Sequence, residues 1–358
     1  MNRKEILIKE DLMALLTNIL AVLKPRQQEV IIKRYGLDGA KPQTLAQIGE
    51  SFSITRERVR QIEEASLERI KKDAKEIFGP VSQILLAVIQ DKGGVVSDKD
   101  LMEFLFSEIE QTKRDLYAQI TRFLLVLEEK LSKIKENDLF REGWRLSSIE
   151  EDLLKEIVQA LINILEEEKK ILTPKELIEK LLKKDNFKSH PQKPRLTQKL
   201  LRGCVDIASP IKKTPEGKVG LISWPLVNPK TIRDKAYFVL SRIKKPMHFR
   251  EIAEAIKNHN FDKKSVTVQT VHNELIADPR FVLIGRGIYG LSEWGLEKGT
   301  VPEVIEKILK EANRPLSKEE IIQEVLKTRQ VKRTTILVNL QANPKFKRTP
   351  EGYYILEY

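Results

Sequence analysis

The run Thr55-Arg56-Glu57-Arg58-Val59-Arg60-Gln61-Ile62-Glu63 concentrates the side-chain types that read nucleic-acid bases. On a helix, Arg56, Glu57, Arg60 and Gln61 fall at i, i+1, i+4 and i+5 and so share one side. In a major groove a guanidinium pairs with guanine O6 and N7, an amide with adenine, and a carboxylate with the cytosine amino group. Arg58 lies off that stripe, where a phosphate is the natural partner.

Such a helix needs a support that fixes its approach to the duplex. Over Leu45 to Ile62, apolar residues stand at Ile48, Phe52, Ile54, Val59 and Ile62, where two short helices must meet. Gly49 falls at their close crossing, where any side chain would hold the second helix away. Ser53 occupies the turn, a position more often taken by glycine. Thr44 and Thr55 each put a hydroxyl ahead of a helical run, predicting two N-caps and two further candidate phosphate contacts. The spacing is that of a helix-turn-helix.

Downstream the chain repeats itself. Asp278-Pro279-Arg280-Phe281 recurs as Asn343-Pro344-Lys345-Phe346, and Gly287, Tyr289 and Leu291 recur as Gly352, Tyr354 and Leu356, each pair 65 positions apart. Lys245-Pro246-Met247-His248 matches Arg314-Pro315-Leu316-Ser317 at a separation of 69, so the earlier copy carries an insertion near Asn258 to Lys264. Each copy reads as an amphipathic helix, a short extended link, a capped second helix, a third helix and a Gly-turned hairpin, the plan of a winged helix. Two weaker copies lie upstream, marked by the caps Ser97 with Asp100 and Thr173 with Glu176, beside His248 with Glu251 and Ser317 with Glu320. The hairpin Lys213-Thr214-Pro215-Glu216-Gly217 resembles Arg348-Thr349-Pro350-Glu351-Gly352. Trp144, Trp224 and Trp294 are expected just past three of the wings, as hydrophobic anchors. The predicted fold is mainly α: a helix-turn-helix over 1–76, then winged modules over 77–146, 147–228, 229–298 and 299–358.

The 358 residues carry 64 Lys and Arg against 52 Asp and Glu, a net charge of +12 that favours a polyanionic partner. Of this, +3 lies in 1–76 and +5 in 229–298, while 77–146 carries −2. Reading is thereby assigned to the first segment, and the basic winged modules are expected to give non-specific support. The single cysteine, Cys204, rules out an internal disulfide framework and a cysteine-based zinc site. Lys9, Glu10 and Asp11 interrupt the apolar N-terminus, so no signal peptide or membrane span is drawn and a cytoplasmic location is expected.

Leu23-Lys24-Pro25-Arg26-Gln27-Gln28-Glu29-Val30-Ile31-Ile32-Lys33-Arg34-Tyr35-Gly36-Leu37, taken with Thr44 to Gly49 and Thr55 to Glu63, resembles region 4 of sigma-70-type RNA polymerase sigma factors. The resemblance covers about residues 12–75. It implies contact with the promoter −35 element and docking on the flap of the polymerase β subunit. Arg56, Glu57, Arg60 and Gln61 would then read bases, and Pro25, Val30, Ile31, Arg34 and Tyr35 would belong to the flap-binding surface. Gln27-Gln28 departs from the Arg-Glu pair usual in that family. Residues 231–295 resemble a second family, the HARE-HTH winged helix of the polymerase δ subunit and of restriction and chromatin proteins. Lys245 to Ala253, Thr270-Val271, Asp278 to Phe281 and Gly285 to Tyr289 carry that likeness.

Other constellations fail on context. Gly285-Arg286-Gly287-Ile288-Tyr289-Gly290 fits a dinucleotide fingerprint, but that fingerprint requires a helix next, and Leu291 to Trp294 reads as a returning strand. Arg286, at the resulting wing turn, is a candidate for phosphate contact, as are Lys332 and Arg333 at the start of the last module's third helix. His190, His248, His259 and His272 lack metal-ligand spacing, and no carboxylate set stands out for nuclease chemistry. No cofactor, no metal and no catalysis are expected. With few aromatics and no segment for opening the −10 element, the expectation is a transcription factor bound to −35-like duplex DNA, RNA polymerase, or both. The alternatives are a δ-like polymerase accessory or scaffold using winged helices for protein contacts, and the DNA-binding part of a restriction or repair system.

Overall fold

Helices begin where a side chain can close their first turn. The computed structural model describes residues 11–259, 261, 266–296, 299–329 and 331–357. Helix α1 (Leu12–Leu20) follows Asp11, whose carboxylate accepts from Met13 N at 3.0 Å and Ala14 N at 3.1 Å. Helix α2 (Pro25–Tyr35) opens with proline at its first position, where the missing N–H costs nothing. The two glutamines before its middle have structural work. Gln27 accepts from Lys24 N at 3.1 Å, and the Gln28 amide donates to Leu20 O at 2.9 Å and Leu23 O at 3.1 Å, closing the end of α1. Helices α3 (Leu45–Ser51), α4 (Arg56–Asp73) and α5 (Lys75–Asp91) follow.

Helix α5 is also the first helix of a winged module. It is followed by β1 (Val95–Ser97), α6 (Asp98–Phe106), α7 (Gln111–Leu127), β2 (Leu131–Ile134) and β3 (Gly143–Leu146), with an antiparallel sheet in the order β1-β3-β2. One continuous core runs from Leu12 through Ile31, Ile70 and Phe123 to Trp144, so packing does not divide at residue 76. Trp144 sits within the return strand of the wing rather than past it. It is buried, and its Nε1 donates to Asp98 at 3.1 Å, a carboxylate that also accepts from Arg122 Nη2 at 2.8 Å.

The next module contains α8 (Glu151–Glu168), α9 (Pro174–Lys183), α10 (Asp185–Lys188), α11 (Gln198–Ile207), β4 (Ile211–Lys213) and β5 (Val219–Leu221). Its first strand is reduced to Leu172, which bridges Val219. These elements complete a first compact unit over residues 1–221; residues 222–358 form a second.

The second unit holds α12 (Ile232–Ile243), β6 (Met247–His248), α13 (Phe249–His259), α14 (Val268–Ala277), β7 (Phe281–Gly285) and β8 (Ile288–Leu291), with sheet order β6-β8-β7. It continues with α15 (Val301–Ala312), α16 (Lys318–Thr328), α17 (Arg333–Ala342), β9 (Phe346–Arg348) and β10 (Tyr354–Leu356), where Leu316 bridges Tyr354. The fold is mainly α, with only small antiparallel sheets. The insertion expected near Asn258 to Lys264 lies largely outside the described residues.

Local chemistry explains the repeat. The two matching hairpins close alike: Thr214 N donates to Lys218 O at 2.7 Å and Thr349 N to Tyr353 O at 2.8 Å. Thr173 and Ser317 form full capping boxes with Glu176 and Glu320, and Ser97 Oγ accepts from Asp100 N at 3.1 Å. His248 makes a partial cap, its backbone N donating to Glu251 at 2.9 Å and its ring Nδ1 accepting from Arg250 N at 3.3 Å. Trp224 and Trp294 are half-buried after β5 and β8, so Trp144 alone of the three is deep in a core.

Candidate nucleic-acid interface

The helix-turn-helix is built on a small apolar cluster of its own. Val30, Ile48 and Val59 are fully buried, with Leu45, Phe52, Ile54 and Ile62 packed against them. At Gly49 a Cβ would lie 2.7 Å from Ile54 O, which is backbone and cannot swing aside. Ser53 takes the turn at φ 51°, in the left-handed region. Both predicted caps form: Thr44 Oγ1 accepts from Gln47 N at 3.3 Å and Thr55 Oγ1 from Arg58 N at 3.1 Å. The Thr44 hydroxyl also donates to Gln47 Oε1 at 3.0 Å, which uses the proton a phosphate would need.

This support presents the first turns of α4 to solvent. Arg56, Glu57, Arg58, Arg60 and Gln61 are all exposed. They are not independent charges. Arg60 Nη2 donates to Glu57 at 2.7 Å, and its Nη1 pairs with Glu64. Arg58 Nη1 donates to Gln61 Oε1 at 3.0 Å. The hydrogen bond from Arg60 holds the Glu57 carboxyl below its ordinary range, and Glu57 in turn raises Arg60. The surface therefore offers Arg56 together with two prearranged pairs.

The residues assigned to a polymerase-facing surface separate into three groups. Val30 and Ile31 are fully buried, Val30 under the helix-turn-helix and Ile31 in the large core, so they hold α2 in place and cannot be contact residues in this arrangement. Arg34 and Tyr35 are half-buried and committed to α4: Arg34 Nε and the Tyr35 hydroxyl donate to Glu63 at 3.2 Å and 3.0 Å, and Arg34 Nη1 donates to Gln43 O at 3.0 Å. Burial, and then the Glu63 charge, push the Tyr35 hydroxyl well above its ordinary pKa. Pro25 is exposed, as are Arg26 and Glu29, while Arg26 and Lys33 lie over the Phe52 ring at 5.7 Å and 4.6 Å. The outer face of α2 is thus Pro25, Arg26, Glu29 and Lys33.

The third helices of the two winged modules in the first unit are turned inward. On α7, Ala118, Ile120, Phe123 and Leu124 are buried, the Tyr35 and Phe123 rings lie 5.1 Å apart, and Gln119 Nε2 donates to Ala40 O at 3.1 Å. Helix α11 buries Leu200, Leu201, Cys204 and Ile207, and packs so closely on β1 that a Cβ at Gly203 would lie 2.6 Å from Val95 O. Its C-terminal carbonyls receive Arg141: Arg141 N donates to Ile207 O at 2.9 Å and Nη1 to Asp206 O at 2.6 Å. Burial pushes the Arg141 guanidinium down from its ordinary pKa.

In the second unit, the fingerprint-like glycine run forms the β7–β8 hairpin with Arg286 exposed at its turn; the returning strand ends at Leu291, and Ser292–Trp294, expected to continue it, is a single 3-10 turn, too short to be the helix a dinucleotide fingerprint requires. Lys332 and Arg333 are exposed at the start of α17. The expectation that the +5 segment acts as a basic support is narrowed. Helix α14, Val-Gln-Thr-Val-His-Asn-Glu-Leu-Ile-Ala, contains neither Lys nor Arg. Arg233 pairs with Glu274 at 2.8 Å, Arg280 with Asp278 at 2.7 Å and Asp234 at 3.1 Å, and Lys235 is buried. Among the described residues no cluster of His, Cys, Asp or Glu could hold a metal, and no helix is long and apolar enough to cross a membrane.

Comparison with known proteins locates two family matches. Residues 19–72 match the model of sigma-70 region 4, and residues 230–294 match the model of HARE-HTH, a helix-turn-helix domain named in part for ASXL and restriction endonucleases. The RNA polymerase sigma factor SigA of Microcystis aeruginosa is 45% identical over 65 residues, which are 18% of this chain and 15% of that protein. The chloroplastic sigma factor sigF of Arabidopsis thaliana is 43% identical over 56 residues, 16% of this chain and 10% of its own length. The sigma-C factor of a Nostoc species is 41% identical over 69 residues, 19% and 17% of the two chains. The chain thus spans less than a fifth of each of these relatives. The sequence is thus similar to sigma-70 region 4 over residues 19–72 and to HARE-HTH over residues 230–294.

Proposed function

We propose that the chain is a DNA-binding transcription factor related to sigma factors, acting at initiation through duplex contact with a −35-like element and through RNA polymerase. The observation that carries this reading is the exposed row Arg56, Glu57, Arg58, Arg60 and Gln61 on the first turns of α4, held by a glycine-crossed helix-turn-helix. Arg56, Glu57, Arg60 and Gln61 take base edges and Arg58 takes a phosphate. The amides at the capped starts of α3 and α4 add anion-binding donors. Polymerase contact falls to the outer face of α2, at Pro25, Arg26, Glu29 and Lys33, and its partner is the β-subunit flap.

The test is anisotropy with a −35-bearing duplex and a scrambled duplex across a salt series. The −35 duplex should bind more tightly, and log affinity should fall linearly with log salt as phosphate contacts release counterions. Equal affinity for both duplexes would sink sequence reading by this helix.

A second reading rests on a separate observation. Because α14 has neither Lys nor Arg and α7 and α11 commit their apolar faces to the cores of the first unit, the winged modules suit protein contacts in a polymerase accessory role. That reading predicts polymerase binding that changes little as salt rises.

A further inference from the structure

Within the second unit, a groove of about 600 Å³ opens between the wing side of the module at 229–298 and the link joining α16 to α17. Its walls are Ile284, Trp294 and Leu296 on one side, and Leu326 and Val331 on the other. Leu326 is 41% exposed, so the groove brings an apolar residue to the surface at its edge. The charged side chains lining it, among the described residues, are Lys327, Arg329 and Lys332, all cationic. Arg329 is buried and ties the two modules together, its Nη1 donating to Leu283 O at 2.7 Å. Lys327 lies 2.6 Å from Glu324, on the solvent side of α16, and Lys332 is exposed at the cap of α17.

The geometry points to a docking site for an acidic peptide segment bearing a bulky apolar anchor. The anchor fills the space between Trp294 and Leu326, and flanking carboxylates meet Lys332 and Lys327. Charge complementarity selects this occupant, since an apolar floor beside the exposed Lys332, with Lys327 reached in competition with Glu324, rewards an apolar residue between acids and disfavours basic segments. Single-stranded nucleic acid is the other polyanion to weigh. It requires a track of cations with successive aromatic platforms, whereas the walls here are aliphatic apart from one indole. Lys332, a candidate phosphate contact by sequence, is assigned to this rim.

The probe is a short fluorescein-labelled peptide with Phe and Leu flanked by Asp and Glu, titrated into the intact protein. Controls are the same peptide with Asn and Gln for the acids, and with Ser for Phe and Leu. Binding should require both features, and Lys332→Glu and Leu326→Asp should each weaken it by about tenfold or more. Both variants should keep the parent far-ultraviolet spectrum: glutamate suits a helix N-terminus, and Leu326 is already partly in water. Absence of peptide binding, equal binding of the neutral peptide, or unaltered binding by both folded variants would overturn the proposal. Displacement of the peptide by oligo-dT but not by the neutral peptide would overturn it in favour of a nucleic-acid groove.

Discussion

Arg60 Nη2 lies 2.7 Å from Glu57 Oε1 on the exposed face of α4, so two side chains suited to reading bases are bonded to each other in the free protein. DNA must compete with that pair. Replacing Glu57 by Gln removes a negative charge from the interface and loosens Arg60. Affinity for scrambled duplex should rise by about two- to fivefold at low salt, with the gain shrinking as salt is added. Discrimination against the wrong base should fall. A salt series on parent and variant reads both effects, and superimposable curves would show that Glu57 does not restrain Arg60.

The crossing of α3 and α4 sets opposite expectations for two small residues. Gly49→Ala puts a Cβ 2.7 Å from Ile54 O and should cost about 1–3 kcal/mol, with matching loss of duplex preference. Ser53→Gly relieves a serine held at φ 51° and should gain about 0.5–1 kcal/mol after glycine's extra unfolded entropy. Urea unfolding of the two variants would contradict this geometry if their signs were reversed.

Helix α11 provides a test of which winged helices are free. Gly203→Ala places a Cβ 2.6 Å from Val95 O, so it should destabilise the first unit by about 1–3 kcal/mol. With duplex contact assigned to α4 and not to α11, the protein that remains folded should bind duplex as the parent does. Loss of DNA affinity without loss of stability would return α11 to the interface.

The capping box of α16 carries a pH signature. Hydrogen bonds from Ser317, backbone first, with Arg314 beside it, lower the Glu320 carboxyl from 4.5 to about 2. A carboxyl depressed in the folded state stabilises it above the unfolded pKa, and that contribution fades as pH falls from 4.5 towards 2. The urea midpoint of the parent should therefore exceed that of Glu320→Gln at pH 6, with the gap closing on acidification. A gap independent of pH across that window would contradict the assignment.

Much of this was legible from local chemistry. Hydroxyls before apolar periodicity located the starts of α3, α4, α9 and α16, and the clash-prone crossing at Gly49 announced two helices at close range. Long-range partnerships were not legible. Glu63 shows no sign in sequence that it will hold Arg34 and Tyr35 from another helix, and nothing about Gly203 beyond its small size points to Val95. A motif along the chain also does not show which of its residues face inward, and the burial of Val30 and Ile31 is visible only once α2 is packed.

Binding-site selection from a randomised duplex pool, with intact protein and Arg60→Ala, bears most directly on direct base reading by α4. The intact protein should enrich one −35-like motif, and the variant should lose preference at a single base pair, at a cost of about 1–3 kcal/mol, while keeping the rest. Identical motifs from the two proteins, or no enrichment by either, would contradict it.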